Sequence, residues 1–372
     1  MGVSNMQSIQ QSNYSDIYHF MYLHDRLSKQ DIADELGLSL PTVTSNLNKL
    51  LNQQLIMKNG QLKSHIGRRA TAYSIDANVK LSVGVEIFHH EATFAILNLH
   101  HDVLITHTVP LTFEKTSSYC QTLSTKLLNL LKGRGLSLNQ VIGVSIGVQG
   151  LISNDGTTIL YGKILDCTGM TTQDFAQFLP FPVTFYHDAD CVAAAENTAV
   201  PKDGIYLSIG EHLGTAIIIN GHLFKSPHGR DGTMEHISLD PVNGRQCYCG
   251  RRGCIETYSS LSSLLEPGET TTSFFAGLKA ANPAIADRFD RYLNDLAEAV
   301  YNLHMFVDLS IIVAGEIASF LTPAMIEELA NRFSQLAVFP EDGADIRLGR
   351  VTHHAVAIGA AIPAIQDYLT QI

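Results

Sequence analysis

The chain has 372 residues, 45% of them hydrophobic, and a formal net charge of −11. That is enough apolar content for more than one core, and it excludes a disordered or fibrous protein. No apolar run is long enough to cross a bilayer, and the polar stretch from Met1 to Gln10 lacks the apolar segment of a secretory signal.

The charge is uneven. Residues 1–79 carry seven Lys/Arg and six Asp/Glu, whereas the rest carries 18 and 30. An acidic body repels nucleic acid, so any DNA contact has to come from a local patch near the N-terminus. Six cysteines in a chain of this length suit reduced thiols and metal ligands in a cytoplasmic protein better than a disulfide framework. No internal repeat or low-complexity segment is visible.

In chain order, Ser12 to Leu27 has helical spacing at Ile17, Phe20, Met21 and Leu23. Ser28 reads as an N-cap with Asp31 completing a capping box, and Gly37 closes the helix that carries Ile32, Ala33 and Leu36. Ser39 caps a third helix with Pro41 in its first turn. Val43, Leu47, Leu50 and Leu51 form its apolar stripe, and Thr42, Thr44, Ser45, Asn46, Asn48 and Lys49 its polar face. This is a helix-turn-helix pattern, with the third helix suited to the major groove and Asn46 of the right chemistry to read adenine. Asn59-Gly60 predicts a hairpin turn, with the second strand at Ala70 to Ile75. Lys63, His65, Gly67, Arg68 and Arg69 then make a basic wing for phosphates or a narrow minor groove. The candidate DNA contacts are Thr42, Thr44, Ser45, Asn46, Lys49, Lys63, Arg68 and Arg69. So few cations imply weak non-specific binding, so two copies have to act together, as a homodimer or homotetramer on an operator.

After a polar linker, Asp76 to Lys80, strands are expected at Leu81 to Ile87, Ala92 to Leu99 and Val103 to Val109. A helix is expected from Ser117 to Lys132 and a buried strand from Val141 to Val148. A second half would begin near Val183 and include Ile205 to Ile209, Ala216 to Ile219 and Ile311 to Ala314. Ala355 to Tyr368 is a closing helix in which Gly359-Ala360-Ala361 permits close packing. The expected domains are 1–75, then a smaller lobe of 80–185 plus 355–372, then a larger lobe of 186–354.

The most informative stretch is His236 to Glu256. Cys247, Cys249 and Cys254 fall within eight residues, with His236 eleven residues upstream. Three thiols and an imidazole make a complete tetrahedral set for a structural Zn²⁺, and Gly250 and Gly253 allow the tight turns that this needs. The paired histidines at 89–90, 100–101 and 353–354 have no thiol or carboxylate at ligand spacing and read as surface or packing residues.

Cys-x-Cys-Gly-x-x-Gly-Cys-x-Glu preceded by a histidine resembles the signature of the ROK family of repressors, open reading frames and sugar kinases. The resemblance runs from about Lys80 to the C-terminus, and the N-terminal segment with its Gly-Arg-Arg wing is similar to the winged helix-turn-helix of ROK repressors. It implies a multidomain chain: an α+β winged helix-turn-helix followed by a two-lobed α/β body of actin-like ATPase-domain (ribonuclease H-like) fold.

The resemblance also implies that Asp188, in Tyr186-His187-Asp188-Ala189-Asp190, stands at the catalytic base of the kinases, with Thr233, His236 and Glu256 at sugar-contacting positions. Asp188 also reads as the N-terminal cap of a helix carrying Ala193-Ala194-Ala195. The family's phosphate-binding Asp-x-Gly-x-Thr is replaced by Glu86-Ile87-Phe88-His89-His90, its second phosphate turn reads Gly210-Glu211-His212-Leu213-Gly214-Thr215, and Ala314-Gly315-Glu316 stands for a run of glycines. The expectation is a non-enzymatic DNA-binding regulator, a repressor of carbohydrate-related genes answering to a sugar or sugar-phosphate effector. The alternative is a sugar kinase with a DNA-binding arm.

Overall fold

A computed structural model describes residues 2–62, 69–227, 229–230, 232–339 and 345–372, with the backbone alone for 2–11. Two compact units result: residues 1–81 with 98–102 and 364–372, and residues 82–97 with 103–363.

The first unit opens with α1 (Gly2–Tyr22), α2 (Lys29–Leu36) and α3 (Leu40–Asn52), followed by the antiparallel pair β1 (Ile56–Leu62) and β2 (Ala70–Ile75). Local chemistry sets the boundaries. The Ser28 hydroxyl accepts from the Asp31 amide at 3.2 Å while the Ser28 amide donates to the Asp31 carboxylate at 2.8 Å. Gly37 ends α2 in the left-handed region, and Ser39 caps α3 through the Thr42 amide. Ile17, Tyr18, Met21, Ile32, Val43, Leu47 and Leu50 form the core with Leu55, Tyr73 and Ile75. Leu23, expected on the buried helical stripe, lies one residue past the end of α1 and is 78% exposed, whereas Tyr18 is fully buried.

Asn59-Gly60 is not the hairpin turn. Gly60, at φ +77°, lies in a bulge between Lys58 and Gln61, and pairing continues to Leu62 opposite Ala70. The Arg26 guanidinium donates to the carbonyls of Asn59 at 2.6 Å and Gln61 at 3.3 Å, which holds the bulge in place. Within the same unit, Tyr22 donates to the Leu99 carbonyl at 2.6 Å, and His19 Nε2 lies 3.1 Å from the Leu369 carbonyl.

The second unit begins with β3 (Leu81–Ile87), β4 (Glu91–Asn98), β5 (Val103–Pro110), α4 (Ser117–Gly133) and β6 (Val141–Val148). The hairpin β7 (Leu151–Ile152) and β8 (Ile159–Tyr161) follows, then α5 (Gln173–Ala176), β9 (Val183–His187) and α6 (Asp188–Ala199). Next come β10 (Gly204–Ile209), β11 (Leu213–Ile219) and β12 (His222–Leu223). Short helices α7 (Glu256–Ser259) and α8 (Leu261–Leu264) lead to α9 (Thr271–Lys279) and α10 (Pro283–Phe306), and the chain closes with β13 (Ser310–Ala314), α11 (Pro323–Leu336), β14 (Ile346–Leu348) and α12 (Ala355–Thr370).

Two five-stranded sheets share one plan, in the orders β5-β4-β3-β6-β9 and β12-β11-β10-β13-β14. In the second sheet, an antiparallel β10–β11 pair is continued by parallel β13 and β14. The central strands β3 and β10 are buried along their whole length, whereas β5 exposes most of its side chains, as an edge strand does. Val183–His187 pairs parallel with Val144–Val148, so it is the last strand of the first sheet and not the start of a second half. A Cβ on Gly359 would lie 1.7 Å from the Cys191 carbonyl oxygen, so α12 crosses α6 at a separation only glycine permits.

Candidate functional site: a cavity beside a three-cysteine, one-histidine knot

In the second unit, a cavity of about 510 Å³ is lined by Gln149–Leu151, by Leu160, Tyr161, Lys163 and Ile164, by His187 and Asp188, by His212–Gly214, and by Arg230, Thr233, Glu235, His236, Tyr248 and Cys249. The size suits a small ligand with room to spare.

Its polar wall starts where β9 meets α6. His187 is the N-cap residue and Asp188 the first helical residue, so Asp188 is a helix-terminal carboxylate and a cavity residue at once. His187 Nε2 lies 3.2 Å from Asp188 Oδ1. Burial raises the Asp188 carboxyl above its ordinary value against the pull of His187. Burial draws His187 down, but Asp188, Asp190 and Glu235 together outweigh it and the net shift is upward. Asp190 is paired with Lys225. Glu235 is 5% exposed, and burial pushes it up to about 7.

Thr233 lines the cavity with its hydroxyl donating to the Arg230 carbonyl at 3.1 Å. Glu256 is not among the residues facing the cavity. It is 4% exposed, and its two oxygens hold His212 Nδ1 at 2.7 Å and the Leu213 amide at 2.6 Å. Its expected contact with a ligand is therefore corrected: the helix it heads, α7, turns it inward, and it acts through His212, which does line the cavity. A 44-residue separation gave no sequence signal for that pair. His187, Lys163, Arg230 and Tyr248 also line the cavity beyond the residues singled out from sequence.

The ligand atoms of His236, Cys247, Cys249 and Cys254 all lie within 4.8 Å of one another. Cys247 Sγ is 3.7 Å from His236 Nδ1, and Cys249 Sγ is 3.7 Å from Cys254 Sγ. A tetrahedron with Zn–S bonds of about 2.3 Å has edges of about 3.8 Å, so the donor set fits a closed metal site. The backbone builds it. The Cys247 amide donates to the Arg251 carbonyl, and the Gly250 amide back to Cys247. Gly253, at φ +70°, lies so close to Asp240 that a Cβ would meet its carbonyl oxygen at 2.0 Å. Tyr248, between two of the thiols, sets its ring edge-on to both His236 and His212. The knot and the cavity thus share a wall.

In the first unit, Ser45, Asn48 and Lys49 of α3 are exposed, with Thr42 and Thr44 half-buried. Asn46 is corrected as a base-reading residue. It is 4% exposed, and its side-chain amide donates to the Thr42 carbonyl one turn back at 3.1 Å. Arg69 is exposed, whereas Lys63 and Arg68 lie outside the described residues.

The two-sheet body belongs to a fold class that holds both regulators and sugar kinases, and here a helix-turn-helix unit precedes it. The chain matches the ROK family over residues 82–367 and therefore belongs to it, and it matches winged helix-turn-helix DNA-binding domains over residues 16–57. It is 27% identical over 272 residues to the DNA-binding transcriptional dual regulator NagC of Escherichia coli K12, covering 70% of this chain and 66% of that protein. It is 24% identical to the xylose repressor of Bacillus subtilis, covering 73% and 71%. Among solved structures, a ROK family transcriptional regulator described as a homolog of E. coli MLC superposes with a TM-score of 0.71 at 20% identity, over 97% of this chain and 96% of that one. A Streptomyces griseus ROK glucokinase in complex with glucose and AMPPNP superposes with a TM-score of 0.67 at 21% identity, over 77% and 99%. These superpositions establish the actin-like body fold.

Proposed function

We propose that this chain is a DNA-binding transcriptional regulator, a repressor of carbohydrate-related genes, whose DNA binding answers to a sugar or sugar-phosphate held in the cavity. The observation that carries it is the joining, in one chain, of a helix-turn-helix whose third helix exposes Ser45, Asn48 and Lys49 to a ROK body whose cavity presents Asp188, Thr233, His212 and His236. Thr42, Thr44, Ser45, Lys49 and Arg69 make the DNA face, with Lys63 and Arg68 assigned to the wing from sequence. Asp188 accepts hydrogen bonds from ligand hydroxyls, and Thr233 and His212 add polar contacts. His236 and the three thiols would hold Zn²⁺, which would supply a structural cross-link for that wall and no chemistry of its own. Reading a palindromic operator requires at least a dimer.

The body works as a binding domain and not as a kinase. The Phe88 amide closes on the Glu91 carbonyl at 2.9 Å, where the family's phosphate turn would lie. Glu86 is buried, and burial, reinforced by Asp188, Glu91 and Glu316, pushes it up to about 8. Glu86, Phe88 and His90 stand where the family's phosphate turn carries aspartate, glycine and threonine. The second reading, a sugar kinase, is favoured by Asp188 in the cavity wall. Operator footprinting with and without a carbohydrate panel tests the regulator. A coupled assay in which MgATP gives steady turnover, abolished by Asp188→Asn, would establish the kinase in its place.

A further inference from the structure

We infer that the ligand of this cavity is an anionic sugar, a ring of hydroxyls bearing a phosphate or a carboxylate, with Lys163 and Arg230 as the groups that bind its charge. The inference rests on the proposed reading of the cavity as a sugar site and narrows its ligand class.

Both cations line the cavity. They arrive from different elements, Lys163 from the segment after β8 and Arg230 from the loop after β12. Beyond residue 79 the chain holds 18 Lys/Arg against 30 Asp/Glu, so two cations lining one cavity run against its charge balance. Lys163 is not a freely waving surface side chain, since its ammonium donates to the Tyr248 carbonyl at 2.6 Å and is fixed against the knot. Among the described residues, no carboxylate lies within ion-pair distance of either cation.

The cavity's own carboxylates have other company. Asp188 pairs with His187 at 3.2 Å, and Glu235 is approached by the Thr215 hydroxyl at 3.3 Å. His212 is oriented too, because Glu256 takes its Nδ1 and leaves Nε2 as the ring's remaining hydrogen-bonding atom. Lys163 and Arg230 thus remain for a negative group brought by the ligand. A neutral sugar calls for the dipolar and carboxylate partners but not for these two. Guanidinium and ammonium pairs with phosphate or carboxylate are the strong class of hydrogen bond, so the gain on the anion is expected to be large.

The test is calorimetry on the full-length protein at fixed ionic strength. The panel is neutral hexoses and pentoses, the matching sugar phosphates, the matching uronates, and inorganic phosphate. The expected result is that at least one phosphate or uronate binds about tenfold or more tighter than its neutral parent, and that Arg230→Gln and Lys163→Gln each cut that preference about tenfold. Lys163→Arg restores the preference, and variants that weaken the neutral parent as much as its anionic form would overturn the charge-binding role. The phosphate and uronate arms decide which anion is used. Neutral sugars binding as tightly as their anionic forms would overturn the inference and leave the sugar reading standing. Inorganic phosphate matching the best sugar would also overturn it, in favour of a bare anion site. No binding by any member, in protein that still protects its operator, would overturn the sugar reading and this inference together.

Discussion

Glu256 and His212 meet at 2.7 Å, carboxylate to Nδ1, across 44 residues of chain, and the second carboxylate oxygen takes the Leu213 amide at 2.6 Å. One buried side chain thereby fixes both the ring that enters the cavity and the start of β11. Burial lowers the His212 proton affinity, but the bond and charge of Glu256 outweigh it and the ring is held above its ordinary value. Replacing Glu256 by Ala leaves a half-buried imidazole and a buried amide without their acceptor. That change is expected to cost about 2–4 kcal/mol in denaturant unfolding. His212→Gln is expected to cost less in stability and as much in ligand affinity, because it removes the group that faces the cavity and keeps the acceptor on Leu213. Equal stability losses for the two variants would contradict the positioning role.

The metal knot makes a separate prediction. Elemental analysis of purified protein should find about one zinc per chain, and Cys249→Ser or Cys254→Ser should abolish it. Apo protein is expected to unfold at lower temperature and to lose ligand affinity, because Tyr248 and His236 belong to the cavity wall. Metal-free protein that binds ligand as tightly as the loaded form would show the knot to be independent of recognition.

On the DNA face, α3 exposes Ser45, Asn48 and Lys49. Ser45→Ala and Asn48→Ala should relax base preference in operator footprinting, each mismatch-like loss being about 1–3 kcal/mol. Lys49→Ala should weaken all sequences alike and reduce the salt slope by about one. Asn46→Ala should instead lower thermal stability by about 1 kcal/mol with little change in base preference, since its amide is bonded to the Thr42 carbonyl. A specificity change at Asn46 without loss of stability would reverse this assignment.

What could be read from the sequence was what short range decides. Ser28, Asp31, Gly37 and Ser39 act on neighbours within three or four residues, and the three thiols fall within eight, so caps and knot were both legible. Asn46 was misread although its position tells against base contact: it stands three residues from Val43 and four from Leu50, on the same inward face. Asn59-Gly60 was misread because Arg26, from before α2, fixes a bulge that no local rule contains. The like strand orders of the two sheets left no repeat in the sequence, because a buried strand requires only that its side chains be apolar.

The buried carboxyl of Glu86 makes the stability of the body depend on pH. Its ordinary value is 4.5, and in the fold burial, with Asp188, Glu91 and Glu316, raises it to about 8. Between those values the folded chain holds a proton that the unfolded chain has released, so stability falls as pH rises through this window. The contribution is fully present below about pH 4.5 and is lost as pH passes about 8. Glu86→Gln keeps the shape and removes the titration. The variant's melting temperature, compared with that of the parent, should therefore shift in the variant's favour from about pH 5 to about pH 8.5. Titrating groups remote from Glu86 are common to both proteins and cancel in the difference, which leaves Glu86 and the carboxylates coupled to it, Asp188, Glu91 and Glu316. Parallel curves across that range would mean that Glu86 ionises as freely in the fold as out of it. A variant that became relatively less stable with rising pH would mean that the carboxylate has a cationic partner there.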